Sequence, residues 1–267
     1  MENRKPGREP VPQQIHPDVS RRWREVALVL VVLVPLAVIL VFPPIPQNPN
    51  YHAFADGRTV SGIPNFLDVA TNIAFLAVGV AGVLLCFGKT VVGATRSWAV
   101  FFVGTALTFL GSAYYHWTPN SETLIWDRVS ITIALMGLFS GAVSEHVGLD
   151  HERAILAPAL AVGIASVAWW HYTDDLRVYV WVQGAPLLAI VFVLIAFPGQ
   201  YTHRSYLAYG LVSYLLAKVA ELQDREIFAL TAQAIGGHAL KHLLAALAVF
   251  FVYLMLRRRA PLALGRR

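Results

Sequence analysis

Residues 26–43 read VALVLVVLVPLAVILVFP, an apolar run without a single charged side chain. A helix of about 20 such residues crosses the hydrocarbon core of a bilayer. Seven further runs of this kind follow, at residues 67–88, 97–116, 125–145, 154–171, 177–197, 205–222 and 228–256. The 267 residues are 57% hydrophobic and 14% charged, whereas soluble domains carry roughly 45–50% apolar and ~25% charged residues. The sequence therefore predicts an all-α, polytopic membrane bundle with eight spans.

Basic residues are concentrated at the chain ends and on one set of loops. With the N-terminus in the cytoplasm, the inner ends and loops hold 15 of the 21 lysines and arginines. The outer loops hold only Arg58, Arg177 and Arg225. An excess of this kind on the inner side orients polytopic proteins. We therefore predict that both termini are cytoplasmic, with basic tails at residues 1–25 and 257–267.

The composition excludes two other classes of protein. A net charge of +5 could indicate a nucleic-acid partner, but no basic stripe interleaved with aromatic residues runs through the body of the chain. We therefore expect no nucleic acid as a partner. The single cysteine, Cys86, excludes a disulfide framework, and its apolar neighbours in the sequence predict inert packing.

Three groups of polar residues fall within or at the ends of the predicted spans, where ionisable side chains are costly and typical of functional sites. Ser112 and His116 are four residues apart near the outer end of the third span, so they share one helical face. His238 and His242 repeat this spacing in the last span, which suits two ligands of one zinc ion. Two glycines precede this pair and allow a close backbone approach. Asp127 opens the fourth span on the outer side.

Depth in the membrane predicts that these groups meet. Because the last span enters from outside near residue 228, His238 lies about ten residues, or roughly 15 Å, along it. His116 and Asp127 also lie in the outer half, so three histidines can converge beside a carboxylate. Three protein ligands with an open fourth position are typical of catalytic zinc. The competing interpretations are an interfacial His116, a histidine pair hydrogen-bonded across helices, and an Asp127 paired with the adjacent Arg128.

Two further pairs of polar residues lie inside the predicted spans. Lys218 and Glu221 are three residues apart in the seventh span, and this spacing predicts a structural ion pair. Asp68 and Asn72 share one face near the start of the second span. For this second pair, packing, cation binding and ligand contact all remain open.

Taken together, these residues resemble the signature of the CREST superfamily of seven-helix membrane hydrolases, which includes alkaline ceramidases and adiponectin-receptor-like proteins. That signature is Ser-x-x-x-His at the end of the second core helix, an aspartate that opens the next helix, and His-x-x-x-His in the seventh. The matching residues, in the same order, are Ser112, His116, Asp127, His238 and His242. The segment 65–72 (NFLDVATN) and the predicted core orientation resemble the alkaline ceramidases and their bacterial relatives.

The resemblance implies a seven-helix hydrolase core at residues 60–256, preceded by an extra transmembrane helix at residues 26–43. It implies a zinc-dependent hydrolase of linear amides that lies in a bacterial inner membrane. The implied substrate is a lipid amide such as ceramide, and the other implied partners are the surrounding membrane lipids. The implied residues are His116, His238 and His242 for Zn²⁺, and Ser112 and Asp127 for catalysis. Two other functions stay open: a receptor or sensor of the adiponectin-receptor-like type with little turnover, and a proton-coupled transporter. The oligomeric state is not predicted.

The sequence departs from the ceramidases in two places. Eukaryotic ceramidases carry an acidic, tryptophan-containing calcium segment where this chain has residues 51–58 (YHAFADGR). Whether a calcium site exists near Asp56 and Asp68 therefore stays open. After Asp127, residues 128–130 (RVS) stand in place of an acidic residue, a leucine and a proline.

Overall fold

The structure, a computed structural model, describes residues 19–88 and 91–262. Within these ranges the chain forms α-helices joined by short connections, with two isolated β-bridges and no strand. The helices are α1 (Val19–Val41), α2 (Phe66–Ala70), α3 (Ile73–Phe87), α4 (Thr95–Trp117), α5 (Ser121–Val147), α6 (Glu152–Thr173), α7 (Arg177–Ala196), α8 (Ser205–Leu222), α9 (Asp224–Leu230) and α10 (Gly237–Arg258). Single 3₁₀ turns lie at Pro49–His52 and Leu149–His151.

Seven stretches of the described chain are long and apolar enough to cross a membrane. They are α1, α2 with α3, α4, α5, α6 with the 3₁₀ turn before it, α7 and α10. The predicted all-α, polytopic bundle is thus confirmed. The predicted span at residues 205–222 corresponds to α8, which has 18 residues and is not among the seven. Its tyrosines and serines, together with Lys218 and Glu221, lower its mean hydropathy.

Helix α8 nevertheless runs antiparallel to α10 along most of its length. At one end, Arg258 of α10 donates a hydrogen bond to the hydroxyl of Tyr206 at 2.8 Å. At the other end, Lys241 of α10 pairs with Glu221 at 2.9 Å. Helix α8 therefore runs beside one of the seven stretches that are long and apolar enough to cross a membrane.

The first helix begins earlier than predicted. Helix α1 starts at Val19 rather than at residue 26, so residues 19–25 of the predicted basic tail are helical. The remainder of that tail, residues 1–18, lies outside the described residues, as do Lys89 and residues 263–267. Helix α1 packs mainly on α7, where the indole of Trp181 donates a hydrogen bond to the carbonyl of Val32 at 2.7 Å.

The last predicted span is divided into two helices. Helix α9 ends at Leu230, and α10 begins only one residue before His238. The backbone between them turns through Ala232 and Gln233, whose φ angles of 50° and 64° lie in the left-handed region. Asp224 then caps the new helix, because its Oδ1 accepts a hydrogen bond from the N–H of His238 at 2.8 Å. The prediction that His238 lies ten residues into a continuous helix was wrong: it lies in the first turn of α10.

Glycines hold the site-bearing helices close together at two crossings. A Cβ atom on Gly237 of α10 would lie 2.1 Å from the carbonyl oxygen of Ala220 on α8. A Cβ atom on Gly111 of α4 would lie 2.4 Å from the carbonyl oxygen of Trp126 on α5. The close approach predicted from the two glycines before His238 is therefore confirmed. These crossings fix the relative positions of the helices that carry the site.

A buried ion pair anchors the end of the chain at the opposite side of the bundle. Both oxygens of Glu145 on α5 accept hydrogen bonds from Arg259, at 2.6 and 2.7 Å. Oε1 of Glu145 also accepts hydrogen bonds from the indole of Trp98 at 2.7 Å and from the backbone of Ala94 at 3.1 Å. Arg259 belongs to the predicted basic tail, yet its side chain is only 1% exposed. The residue after α10 is thus part of the folded core.

Candidate metal centre

Three histidines from two helices meet near one end of the bundle. His116 lies in the last turn of α4, whereas His238 and His242 lie on consecutive turns of α10. All three are buried, and each offers one ring nitrogen, the three nitrogens lying within 4.8 Å of one another. Their ring centroids are 4.7, 4.9 and 5.0 Å apart. The predicted convergence of these histidines is confirmed, and the group could hold a metal ion.

The hydrogen bonds of the rings leave nitrogen lone pairs available for a metal. The hydroxyl of Thr71 donates to the carbonyl of Leu67 at 2.7 Å, and its oxygen lies 3.0 Å from Nδ1 of His242. Since the one hydroxyl proton is already used, the oxygen accepts from Nδ1–H, and Nε2 of His242 keeps a free lone pair. Nδ1 of His116 is buried with no hydrogen-bond partner among the described residues. Neutral imidazole nitrogens of this kind are the ligands that zinc prefers.

Lys241 is a neighbour of the histidines that the sequence analysis did not identify. Its ammonium lies 3.0 Å from Nε2 of His238 and 2.9 Å from a carboxylate oxygen of Glu221. Glu221 also pairs with Lys218, so that predicted ion pair is confirmed and is part of a larger network. Because an ammonium can only donate, Nε2 of His238 accepts this hydrogen bond. A metal can bind Nε2 of His238 only if the hydrogen bond from the Lys241 ammonium to this nitrogen is broken.

Asp127 and Ser112 lie beside each other where α4 and α5 cross at Gly111. The side chains of Ser112 and Asp127 line the same cavity. Oδ1 of Asp127 is buried with no partner among the described residues. The competing interpretation, an ion pair between Asp127 and Arg128, does not match the structure, because Arg128 instead donates to the side chain of Gln47 at 2.7 Å. The carboxylate thus has an oxygen free to exchange a proton.

A cavity of about 440 Å³ connects the polar residues with the interior of the bundle. Ser112, Asp127, Lys241 and His242 all line it, and most of its wall is apolar. On the other side of the histidines, the ring of Phe54 covers the group, its centroid 4.7 Å from the ring of His116 and 4.6 Å from that of His238. The arrangement places chemically active side chains at the polar end of an apolar chamber.

The segment between α1 and α2 is fixed against the site by hydrogen bonds. The N–H of Ala55, next to Phe54, donates to Oδ2 of Asp224 at 2.8 Å. The amide of Asn65 donates to the carbonyl of His116 at 2.8 Å and so holds the end of α4. The segment was too irregular in sequence for these contacts to be predicted.

The acidic residues near the metal centre are held differently from one another. The guanidinium of Arg58 donates to both oxygens of Asp56, and this contact holds the pKa of the Asp56 carboxyl below its usual value. Asp68 is buried, and its backbone carbonyl accepts a hydrogen bond from the side chain of Asn72 at 2.6 Å. Asn72 is buried as well, and the two carboxylate oxygens of Asp68 have no hydrogen-bond partner among the described residues.

The fold and the site define a class: a multi-pass membrane protein with a buried group of three histidines that could hold a metal ion. No family model matches the chain, and the comparisons with curated proteins and with solved structures find no match either.

Proposed function

We propose that this protein is a zinc-dependent hydrolase that cleaves lipid amides within the membrane. The observation that carries the proposal is that His242, one of three clustered and buried histidines, lines the same apolar cavity as Ser112 and Asp127. Three histidine ligands and an open position are typical of catalytic zinc. Zinc bound there would supply a water of lowered pKa and polarise a carbonyl. The resemblance of these residues to the CREST signature supports the same reaction.

The side chains of this protein would move the proton and hold the developing charge. Asp127 accepts the proton of the attacking water on its free oxygen and later donates it to the leaving amine. The hydroxyl of Ser112, which lines the same cavity, donates a hydrogen bond to the oxyanion that forms at the amide carbonyl. Asp127 acts on the attacking water and the leaving amine, and Ser112 acts on the carbonyl oxygen, so loss of either side chain should lower turnover.

The shape of the cavity favours a lipid as the substrate. Its volume of about 440 Å³ lies in the range of ligand sites, which is roughly 300–1,000 Å³. The apolar wall is suited to an acyl chain and keeps water away from the bond that is cleaved. A lipid amide, with its amide at the polar end of the acyl chain, fits this distribution of polar and apolar surface.

Metal analysis of purified variants tests the zinc site. We expect close to one zinc per chain in the wild type and loss of most of it in His238→Ala. His203→Ala is the matched control, because His203 is exposed and remote from the group, so this variant should keep its zinc. Full zinc retention by His238→Ala would remove the site from consideration.

Turnover is tested separately with a panel of ceramides and other N-acyl lipids, with and without a chelator. Asp127→Asn should keep its zinc and lose activity by about 10²–10⁴-fold. Asp150→Asn, a change on the exposed turn before α6, should leave activity unchanged. If Asp127→Asn hydrolyses substrate normally, the proton-transfer role is wrong. If the zinc-loaded wild type hydrolyses nothing, a receptor or sensor becomes the better function.

We propose further that both termini face the cytoplasm of a bacterium. The distribution of basic residues and the full-length packing of α8 along α10 support an even number of crossings. A reporter fused after Arg267 should therefore be cytoplasmic, and a reporter inserted between α1 and α2 should be external. An external C-terminal reporter would overturn either the orientation or the count of eight.

A further inference from the structure

Arg128 is a buried cation at the wall of the cavity, next to Asp127. It is only 5% exposed and lies among aromatic rings. The guanidinium carbon is 3.8 Å from the ring centroid of Trp170 and 4.6 Å from that of Tyr179. The ring of Tyr51 lies 5.7 Å away on the segment between α1 and α2. These rings fix the plane of the guanidinium group.

Arg128 forms no ion pair at contact distance within the described part of the chain, although the neighbouring carboxylate of Asp127 is near enough to interact with its charge. Its Nη2 donates to the neutral side chain of Gln47 at 2.7 Å, while its Nη1 is buried without a hydrogen-bond partner. The other buried arginine differs, because Arg259 pairs with Glu145, and the partly buried Arg177 also has a carboxylate partner in Asp175. Aromatic faces attract a cation but do not neutralise it. A buried and unpaired charge is costly, so this position is suited to an anion that arrives with a ligand.

We propose that Arg128 binds an anionic group, a carboxylate or a phosphate, on the polar end of the lipid amide. The inference rests on the proposed function and specifies its substrate class: an N-acyl amino acid or an N-acyl phospholipid rather than a neutral ceramide. The unpartnered Nη1 of this guanidinium can donate a charge-assisted hydrogen bond to an oxygen of such a group. Since Arg128 adjoins the residue that exchanges the proton, the anion belongs to the amine side of the scissile bond.

Binding to the full-length protein in detergent tests this proposal independently of turnover. The probes form two pairs of an acidic and a neutral compound. The first pair is N-palmitoylglycine and its methyl ester, and the second is N-palmitoyl phosphoethanolamine and N-palmitoylethanolamine. At least one acidic probe should bind the wild type ten or more times as tightly as its neutral counterpart. The pair that shows the preference identifies the anion as carboxylate or phosphate. Equal affinity of acid and neutral probe in both pairs overturns the proposal.

Variants separate recognition of the anion from a purely structural role of Arg128. Arg128→Gln should abolish the preference for the acid while the affinity for the neutral probe stays the same. Arg128→Lys keeps the positive charge but replaces the planar guanidinium group with an ammonium group, so it should retain part of the preference. Arg225→Gln, which removes an exposed charge on α9, should retain all of it. Equal loss of both affinities in Arg128→Gln would indicate a structural role and contradict the proposal.

Hydrolysis of the same probes is measured on the same wild-type preparation. A binding preference for the acid without hydrolysis would disprove the proposed function but leave the assignment of Arg128 intact. If the acid and the ester are bound with equal affinity and hydrolysed at equal rates, the assignment of Arg128 is wrong and the proposed function stands. The two conclusions therefore fail separately.

Discussion

Gly237→Ala should unfold the protein more easily and displace the metal centre at the same time. The added Cβ would lie 2.1 Å from the carbonyl oxygen of Ala220, and 2.7 Å from the Cα of Asp224. Both neighbours are backbone atoms, so no side-chain rotation can relieve the overlap. Carbon–oxygen contacts are normally about 3.3 Å or longer, and α10 must therefore move away from α8 by roughly 1 Å.

The size of the effect follows from this overlap. Overpacking of a close-packed contact costs about 1–3 kcal/mol. For a chain of this size, 1 kcal/mol corresponds to roughly 2–4 °C, so the melting temperature should fall by about 2–12 °C. His238 follows Gly237 directly and receives the cap from Asp224. A shift of α10 exceeds the roughly 0.2 Å tolerance of metal–ligand distances, and zinc affinity should fall as well.

Thermal unfolding in detergent and zinc titration measure the two effects on one preparation. Gly184→Ala is the matched control, because Gly184 lies within α7 and a Cβ there meets no atom within 4 Å. Alanine is the better helix former by about 1 kcal/mol, so this variant should melt slightly higher and bind zinc normally. If Gly237→Ala melts with the wild type and keeps its zinc affinity, the described crossing of α8 and α10 is wrong.

Three other changes have defined outcomes. Thr71→Val removes the acceptor of a histidine ring N–H and should weaken zinc binding roughly 10–100-fold, as measured by chelator competition; unchanged affinity would contradict that role. Arg259→Gln leaves Glu145 buried and unpaired and should cost about 3–5 kcal/mol of unfolding free energy, with zinc affinity unchanged as the control. The guanidinium of Arg177 holds the pKa of Asp175 below its usual range. The stability from that contact is complete above the unfolded-state pKa of about 3.9 and is lost as the pH falls further. Asp175→Asn should therefore melt lower at neutral pH and lose less on acidification; an identical acid profile would exclude this contribution.

The sequence was sufficient for the features that depend on local spacing. A run of apolar residues predicts a membrane helix because no other single segment satisfies its backbone in lipid. The four-residue spacing of His238 and His242 places both rings on one helix face. The similar depth predicted for His116 in the membrane was the reason to expect it beside them. The break before α10 was missed because the apolar character continues from α9 into α10. The left-handed turn at Ala232 and Gln233 has no glycine to mark it.

The residues that were missed depend on contacts between distant parts of the chain. Glu145 and Arg259 are 114 residues apart, and a count of basic residues can assign Arg259 only to a side of the membrane. The adjacency of Arg128 to Asp127 in the sequence suggests an ion pair, although adjacent residues of a helix do not face each other. That geometric rule was the one available signal that the guanidinium points elsewhere. Lys241 was visible as an intramembrane charge, but its contact with His238 required the structure.

One carboxylate connects the segment that covers the site with the histidines of α10. Asp224 accepts the N–H of Ala55 with one oxygen and the N–H of His238 with the other, both at 2.8 Å. The first contact holds the segment that carries Phe54, and the second holds the first turn of α10. The covering segment and His238 are therefore positioned by the same residue. Neither can shift without straining its hydrogen bond to Asp224. The break between α9 and α10, which hydropathy does not reveal, is what places Asp224 at this junction.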